Sequence, residues 1–265
     1  MPMLDVDGIS LYFNVKGQGI PIVFIHPPVL TSMNFKNQIE ELSQEFQVIT
    51  FDIRGHGRSQ DSKPPVTYPL IVEDIKHLLD HLKIKKAFIC GYSTGGSIVL
   101  EYLLNSADWA LGGIVIGGIS EVRDKYLKQK ISLGISLANK GAVPILALSI
   151  SWSNSNTQKL FNMMFNEALK GDARNIEQYY HYSLHYNCTH QLEKINLPIL
   201  LVYGKKDKPF YHYAKLLHDK LPYKELKFID HAKHQIPTKA ANDLNEMIKH
   251  FIYTHNEMNT DETYL

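Results

Sequence analysis

An apolar run, Ala87-Phe88-Ile89-Cys90, passes directly into Gly91-Tyr92-Ser93-Thr94-Gly95-Gly96 and then into a helical repeat of Ile98, Val99, Tyr102 and Leu103. A strand that turns into a helix within so few residues must bend sharply. The bend crowds the positions two before and two after its apex, which calls for the small residues Gly91 and Gly95. The apex is Ser93. A serine hydroxyl is a weak nucleophile unless it is held at an exposed point that a base can reach, and such a turn holds it there. The helix N-terminus beneath it also favours negative charge developing nearby.

The rest of the chain extends this strand–helix unit. Short β-rich runs at residues 11–15, 21–25, 46–51, 87–90, 114–116, 199–203 and 226–229 alternate with helical patterns, and Asp7-Gly8 reads as a hairpin turn before the first. Ile71, Ile75, Leu78, Leu79 and Leu82 recur at helical spacing, as do Leu244, Met247, Ile248 and Phe251, with a polar tail expected to fray from about His255. Such alternation predicts an α/β fold, a mainly parallel sheet flanked by helices. It breaks between residues 118 and 190, where apolar groups such as Phe161, Met164 and Phe165 fit helices and no strand is convincing. Structureless loops of that length are rare. The expected division is a core of residues 1–117 and 191–265, with a helical cap of residues 118–190 inserted between two sheet strands.

Charge excludes one class of partner. The 28 basic and 27 acidic side chains leave a net charge of +1, so no basic excess exists to neutralise phosphates, and no nucleic acid is expected. Two cysteines are too few for a disulfide framework, and Cys90 reads as a small core residue. The first ten residues have neither a basic start nor an apolar run. The longest greasy stretch, residues 143–150, is far short of the roughly 20 a membrane span needs. A cytoplasmic protein with no membrane partner is the expectation.

With its strand–turn–helix context, the Gly91–Gly95 segment resembles the G-x-S-x-G turn of the α/β-hydrolase superfamily, in a serine-nucleophile, capped form. Asp52-Ile53-Arg54-Gly55-His56-Gly57-Arg58-Ser59 is similar to that superfamily's D-x-R-G-x-G-x-S loop. There the glycines shape the loop, Asp52 and Arg54 hold it by charge-assisted bonds, and His56 has no catalytic role. Gly204-Lys205-Lys206-Asp207 lies where the family carries its acid, which makes Asp207 the candidate; Glu121 and Asp124, after the preceding strand, are rivals. His234 with Pro237 fits the family's G-H-x-x-P frame, with Lys233 in place of the glycine, whereas His231 lacks the proline spacing. The resemblance therefore implies a triad of Ser93, Asp207 and His234. It also implies an oxyanion hole of two backbone N–H groups, one from Thr94. The other comes from the loop after the second strand, here His26-Pro27-Pro28-Val29. Proline has no N–H, so Val29 is the nearest donor, and a cis X-Pro bond is one way to aim it.

His181, His185, Cys188 and His190 have spacings that zinc could use, but no supporting carboxylate is evident, and neither a metal nor any cofactor is expected. Tyr179, Tyr180, Tyr182 and Tyr186 read mainly as packing of the cap on the core. The implied function is a serine hydrolase that cleaves a small ester-type carbonyl substrate with apolar groups through an acyl-enzyme. Lactone, thioester, amide or C–C substrates are compatible with the same triad. The alternative is a ligand-binding or signalling protein on the same fold with little turnover. Phe161, Met163, Met164 and Phe165 are expected to line a pocket above Ser93.

Overall fold

The computed structural model of the protein describes residues 2–260, with side chains through residue 255. Among the described residues eight strands form one sheet: β1 (Met3–Val6), β2 (Ile9–Lys16), β3 (Pro21–Ile25), β4 (Gln47–Phe51), β5 (Ala87–Tyr92), β6 (Ala110–Ile116), β7 (Ile199–Gly204) and β8 (Lys224–Ile229). Their spatial order is β1-β2-β4-β3-β5-β6-β7-β8, antiparallel for the first two pairings and parallel for the rest. Parallel neighbours need crossovers, and helices supply them on both faces. The helices are α1 (Lys36–Leu42), α2 (Tyr68–His81), α3 (Thr94–Asn105), α4 (Lys125–Asn139), α5 (Val143–Asn154), α6 (Gln158–Ala168), α7 (Ala173–His185) and α8 (Tyr211–Lys220), with α9 (Ile236–Lys239) and α10 (Ala241–Thr260) following the last strand. This is the α/β-hydrolase architecture that the resemblance implied.

The central strands are continuous apolar runs because both faces are covered. Their side chains alternate between two cores. Val23 and Ile25 of β3, Ile89 of β5 and Leu201 of β7 point to the core shared with α2, α3 and α8. Ile22, Phe24, Phe88, Cys90, Leu200 and Val202 point to the core shared with α1 and α10. Strand β6 begins four residues earlier than the apolar pattern indicated, since Gly112 and Gly113 interrupt that pattern. Glycine is needed at 112: a Cβ would stand 2.8 Å from the Pro198 carbonyl and 2.9 Å from the Phe88 ring.

Helix starts follow local chemistry. Thr67, Asp124, Thr157 and Asp172 each accept a hydrogen bond from the backbone N–H three residues on, which caps α2, α4, α6 and α7. Between β6 and β7 the chain forms α4 to α7, with a single bridge pair, Glu121 with Asn187, outside the named strands. Helix α10 runs on past His255, where the polar tail begins, to Thr260, and the remainder of that tail lies outside the described residues.

Candidate active site

Strand β5 delivers Ser93 to the first turn of α3 with φ 55° and ψ −121°, a conformation that L side chains rarely adopt. The turn is fixed by Ser93 N–H donating to Ile116 O (2.8 Å) and Gly96 N–H to Ser93 O (2.9 Å). The glycine requirement is steric. A Cβ on Gly91 would lie 2.2 Å from Gly95 O, and one on Gly95 would lie 2.3 Å from Ile25 O.

The structure brings Asp207 and His234 to this serine. His234 Nε2 is 3.1 Å from Ser93 Oγ, and His234 Nδ1 is 2.8 Å from Asp207 Oδ2. Asp207 sits in the turn after β7, where its N–H donates to Gly204 O (3.0 Å). The two loops are laced together: Lys205 N–H donates to Ile229 O (2.9 Å) and Lys206 N–H to Ala232 O (2.8 Å). Gly204 allows that approach, since a Cβ there would be 2.4 Å from Lys233 O. The rivals lie elsewhere. His231 is exposed, 3.7 Å from Asp243. Asp124 accepts a hydrogen bond from Tyr213 (2.5 Å), and Glu121 accepts one from Asn187 (2.7 Å).

Several residues at this site gave no sequence signal. The His234 ring lies 4.2 Å from the Phe210 ring and 5.4 Å from that of Tyr92. Tyr92 Oη in turn donates to Asn154 Oδ1 of α5 (3.1 Å). Gly117, at φ 55°, lies under the imidazole, where a Cβ would be 3.0 Å from His234 Cε1. The Gly117-Gly118 pair at the end of β6 was the one visible hint.

Of the proposed oxyanion donors, Thr94 opens α3 directly after Ser93. Val29 has φ 71°, which is costly for a β-branched residue, on the order of 1–3 kcal/mol. Its buried side chain packs with Leu146, Ala147 and Ile176, which offsets that strain. All peptide bonds among the described residues are trans, so the left-handed backbone at Val29, and not a cis proline, redirects this loop. The loop is braced from behind. His26 Nδ1–H donates to Pro27 O and its Nε2 accepts from Ile53 N–H, both 2.9 Å. Asp52 accepts from Ser32 N–H (2.8 Å) and Arg58 N–H (3.0 Å). Arg54 grips Asp74 with contacts of 2.6 to 3.0 Å, both side chains buried. Burial lowers the His26 imidazole to about 4; burial, then neighbouring His26, lowers that of His56 to about 3. Both rings are neutral at pH 7, and His56 lies against His26 and Tyr179, away from Ser93.

A cavity of about 610 Å³ opens above Ser93, lined mainly by α4, α5 and the loops that carry the triad residues. Its walls include Ile119, Leu127, Ile131, Leu146, Ile150 and Tyr180. None of Phe161, Met163, Met164 and Phe165 is on this wall, so the expected lining by α6 is corrected. Met164 is buried in the core shared with α1 and α10, Phe165 packs beside Val29's cluster, and Phe161 stacks on Phe165 and meets Trp152 edge-on. The apolar stripe of α6 serves packing. The other tyrosines of α7, and Tyr186 just after it, also pack: Tyr179 Oη donates to His26 O (2.9 Å), while Tyr182 and Tyr186 lie against Tyr68. His181 and His185 are on the exposed side of α7, and among the described residues no cluster of three or more His, Cys, Asp or Glu could hold a metal. No described helix is long and apolar enough to cross a membrane.

Comparison with known proteins bears on the family and the fold. A family model described as "Serine aminopeptidase, S33" matches residues 21–239. The human protein named serine hydrolase BPHL is 25% identical over 259 residues, 93% of this chain and 84% of that protein. An esterase structure from Exiguobacterium antarcticum superposes with a TM-score of 0.84 at 22% identity, covering 94% of this chain and 97% of its own. An enol-lactonase from Burkholderia xenovorans gives 0.82 at 19%, covering 95% and 100%. At these identities the two structures share the fold.

Proposed function

From the premise that this chain belongs to the serine aminopeptidase S33 family of α/β-hydrolases, we propose that it is a serine hydrolase of small, apolar ester-type substrates. One observation carries the reading: the continuous line from Ser93 Oγ through the His234 ring to Asp207, with contacts of 3.1 and 2.8 Å. In this proposal Ser93 attacks the substrate carbonyl while His234 Nε2 takes its proton. Asp207 holds Nδ1–H and stabilises the imidazolium. His234 then returns the proton to the leaving group, and water repeats the sequence to release the acyl group and free Ser93. The N–H groups of Val29 and Thr94 receive the oxyanion.

The cavity supports an ester over an N-terminal peptide. Among the described lining residues Asp207 is the carboxylate, and it is committed to His234. An α-ammonium would find no counter-charge and would face Lys130 at the rim. We also propose that residues 118–190 act as a cap over a core of residues 1–117 and 191–265, since α4, α5 and α7 all contribute to the cavity wall.

A fluorophosphonate probe, together with a chromogenic ester series varied in acyl length and leaving group, tests the proposal. Labelling of Ser93 and turnover of short apolar esters are expected. The two prolines before Val29, which lack N–H groups, favour the low-turnover binding reading. Labelling without turnover on any ester would select it.

A further inference from the structure

Helix α5 opens with six apolar residues in a row, Val143 to Leu148, so its first turns carry no polar side chain. Val143, Leu146 and Ala147 are buried against the protein, yet Ile145, Leu148 and Trp152 face outward, 58%, 52% and 68% exposed. A surface helix ordinarily turns polar residues outward. The spacing of these three places them along one stripe. On α4 and its C-terminal end, Tyr126, Lys130, Leu133, Leu137 and Lys140 recur at alternating steps of four and three, so they too share a face. Within it Tyr126 is 49% and Leu133 59% exposed. Tyr126, Lys130, Leu133 and Ile145 also line the cavity above Ser93, so the two stripes flank its mouth.

The charge around this rim has one sign. Residues 125–166 contain five lysines and not one Asp or Glu. The carboxylates at either end are occupied: Asp124 by Tyr213 and the first turn of α4, Glu167 by Arg58 and Lys170. The Lys130 ammonium lies 4.5 Å from the centre of the Tyr126 ring, which holds a cation beside the apolar surface.

We infer that this face docks peripherally on an anionic lipid surface. Tyr126, Leu133, Ile145, Leu148 and Trp152 enter the boundary between headgroups and acyl chains, and Lys130 and Lys140 meet the phosphates. The combination of exposed apolar side chains, an indole and a basic rim is the chemistry of interfacial binding. A second copy of this chain fits less well, because a two-fold contact through the same face would set lysine against lysine. The expectation of no membrane partner rested on the absence of a span, which a peripheral contact does not require.

Vesicle co-sedimentation of the full chain tests this. A Ser93→Ala form avoids any lipid turnover, and a Trp109→Phe change leaves Trp152 as the single indole. Vesicles of equal parts phosphatidylglycerol and phosphatidylcholine should bind it in a salt-sensitive way and shift Trp152 emission to the blue. Phosphatidylcholine alone should bind weakly. Leu148→Ser with Trp152→Ser should weaken binding on the order of tenfold or more. Lys140→Glu should weaken it by at least about fivefold, the worth of one lysine near the surface. None of these three residues lines the cavity. Hydrolysis of a soluble short ester by the Leu148→Ser/Trp152→Ser chain with Ser93 intact should therefore match the parent, which separates failed docking from failed catalysis. Equal sedimentation with and without anionic vesicles overturns the inference, as does undiminished binding by that double variant. So does a dimer that the double variant dissociates, formed by a chain that ignores vesicles.

Discussion

Replacing Gly91 by alanine puts a methyl carbon 2.2 Å from the carbonyl oxygen of Gly95 and 2.7 Å from Gly96 N. Both neighbours are backbone, so no side chain can swing away. Restoring ordinary contact requires the turn to open by about 1 Å. The stability cost should reach or exceed the upper end of the roughly 1–3 kcal/mol typical of overpacking. The functional cost is separate. Ser93 Oγ begins 3.1 Å from His234 Nε2, near the limit of a useful hydrogen bond, so a further 1 Å breaks it. Misplacement on that scale costs on the order of 100-fold in rate. Urea unfolding, fluorophosphonate labelling rate and kcat/KM on an activated ester read these two costs independently. Gly112→Ala is the matched control, since its Cβ would meet the Phe88 ring and Pro198 O far along β6 from Ser93. It should lose stability while keeping the labelling rate of whatever fraction folds. A Gly91→Ala chain that labels at the parent rate and unfolds at the parent midpoint would refute the steric argument.

Ser93→Ala should remove hydrolysis with little change in unfolding midpoint; more than about a hundredth of parent activity would contradict its role. Asp207→Asn should lower kcat on the order of 10⁴-fold through the wrong imidazole tautomer, whereas Asp124→Asn and Glu121→Gln, which do not touch His234, should leave kcat within a few-fold. Arg54→Met should cost about 3–5 kcal/mol in urea unfolding because it strands buried Asp74, and adding Asp74→Leu should recover most of the loss. The pH dependence has a definite sign. Folded His26 binds a proton only near pH 4, while the unfolded chain binds it near 6.5, so between those values the unfolded state holds more protons and stability is lost as the pH is lowered. From His26 alone the loss at pH 5 is about 2 kcal/mol. Burial raises Asp52 and Asp74, which oppose this trend, so the measured quantity is the difference in slope between the parent and a His26→Asn chain. Equal slopes would contradict the assignment.

How much was legible from sequence depends on the range of the causes. The sheet was readable because a strand buried on both faces must be a continuous apolar run, as Ile22 to Ile25 and Ile199 to Tyr203 are. The turn at Ser93 was readable for a similar reason: the clash that selects glycine at 91 involves a residue four positions away. Gly117 answers to His234, more than a hundred positions distant, and Asn154 answers to Tyr92; no local pattern encodes either contact. The helical insertion misled for a different reason. Apolar periodicity says that a helix has a face to bury and is silent on what buries it. Phe161, Met164 and Phe165 satisfied that rule by packing α6 onto its neighbours. Helix α5 broke the rule, since an unbroken apolar run such as Val143 to Leu148 is the mark of an enclosed helix, yet Ile145, Leu148 and Trp152 stay outside. An exception of that kind is costly for a free monomer, and it sits at the cavity mouth, among lysines with no acidic neighbour in the segment. The departure from helical patterning therefore carries more information about function than the regular stretches around it.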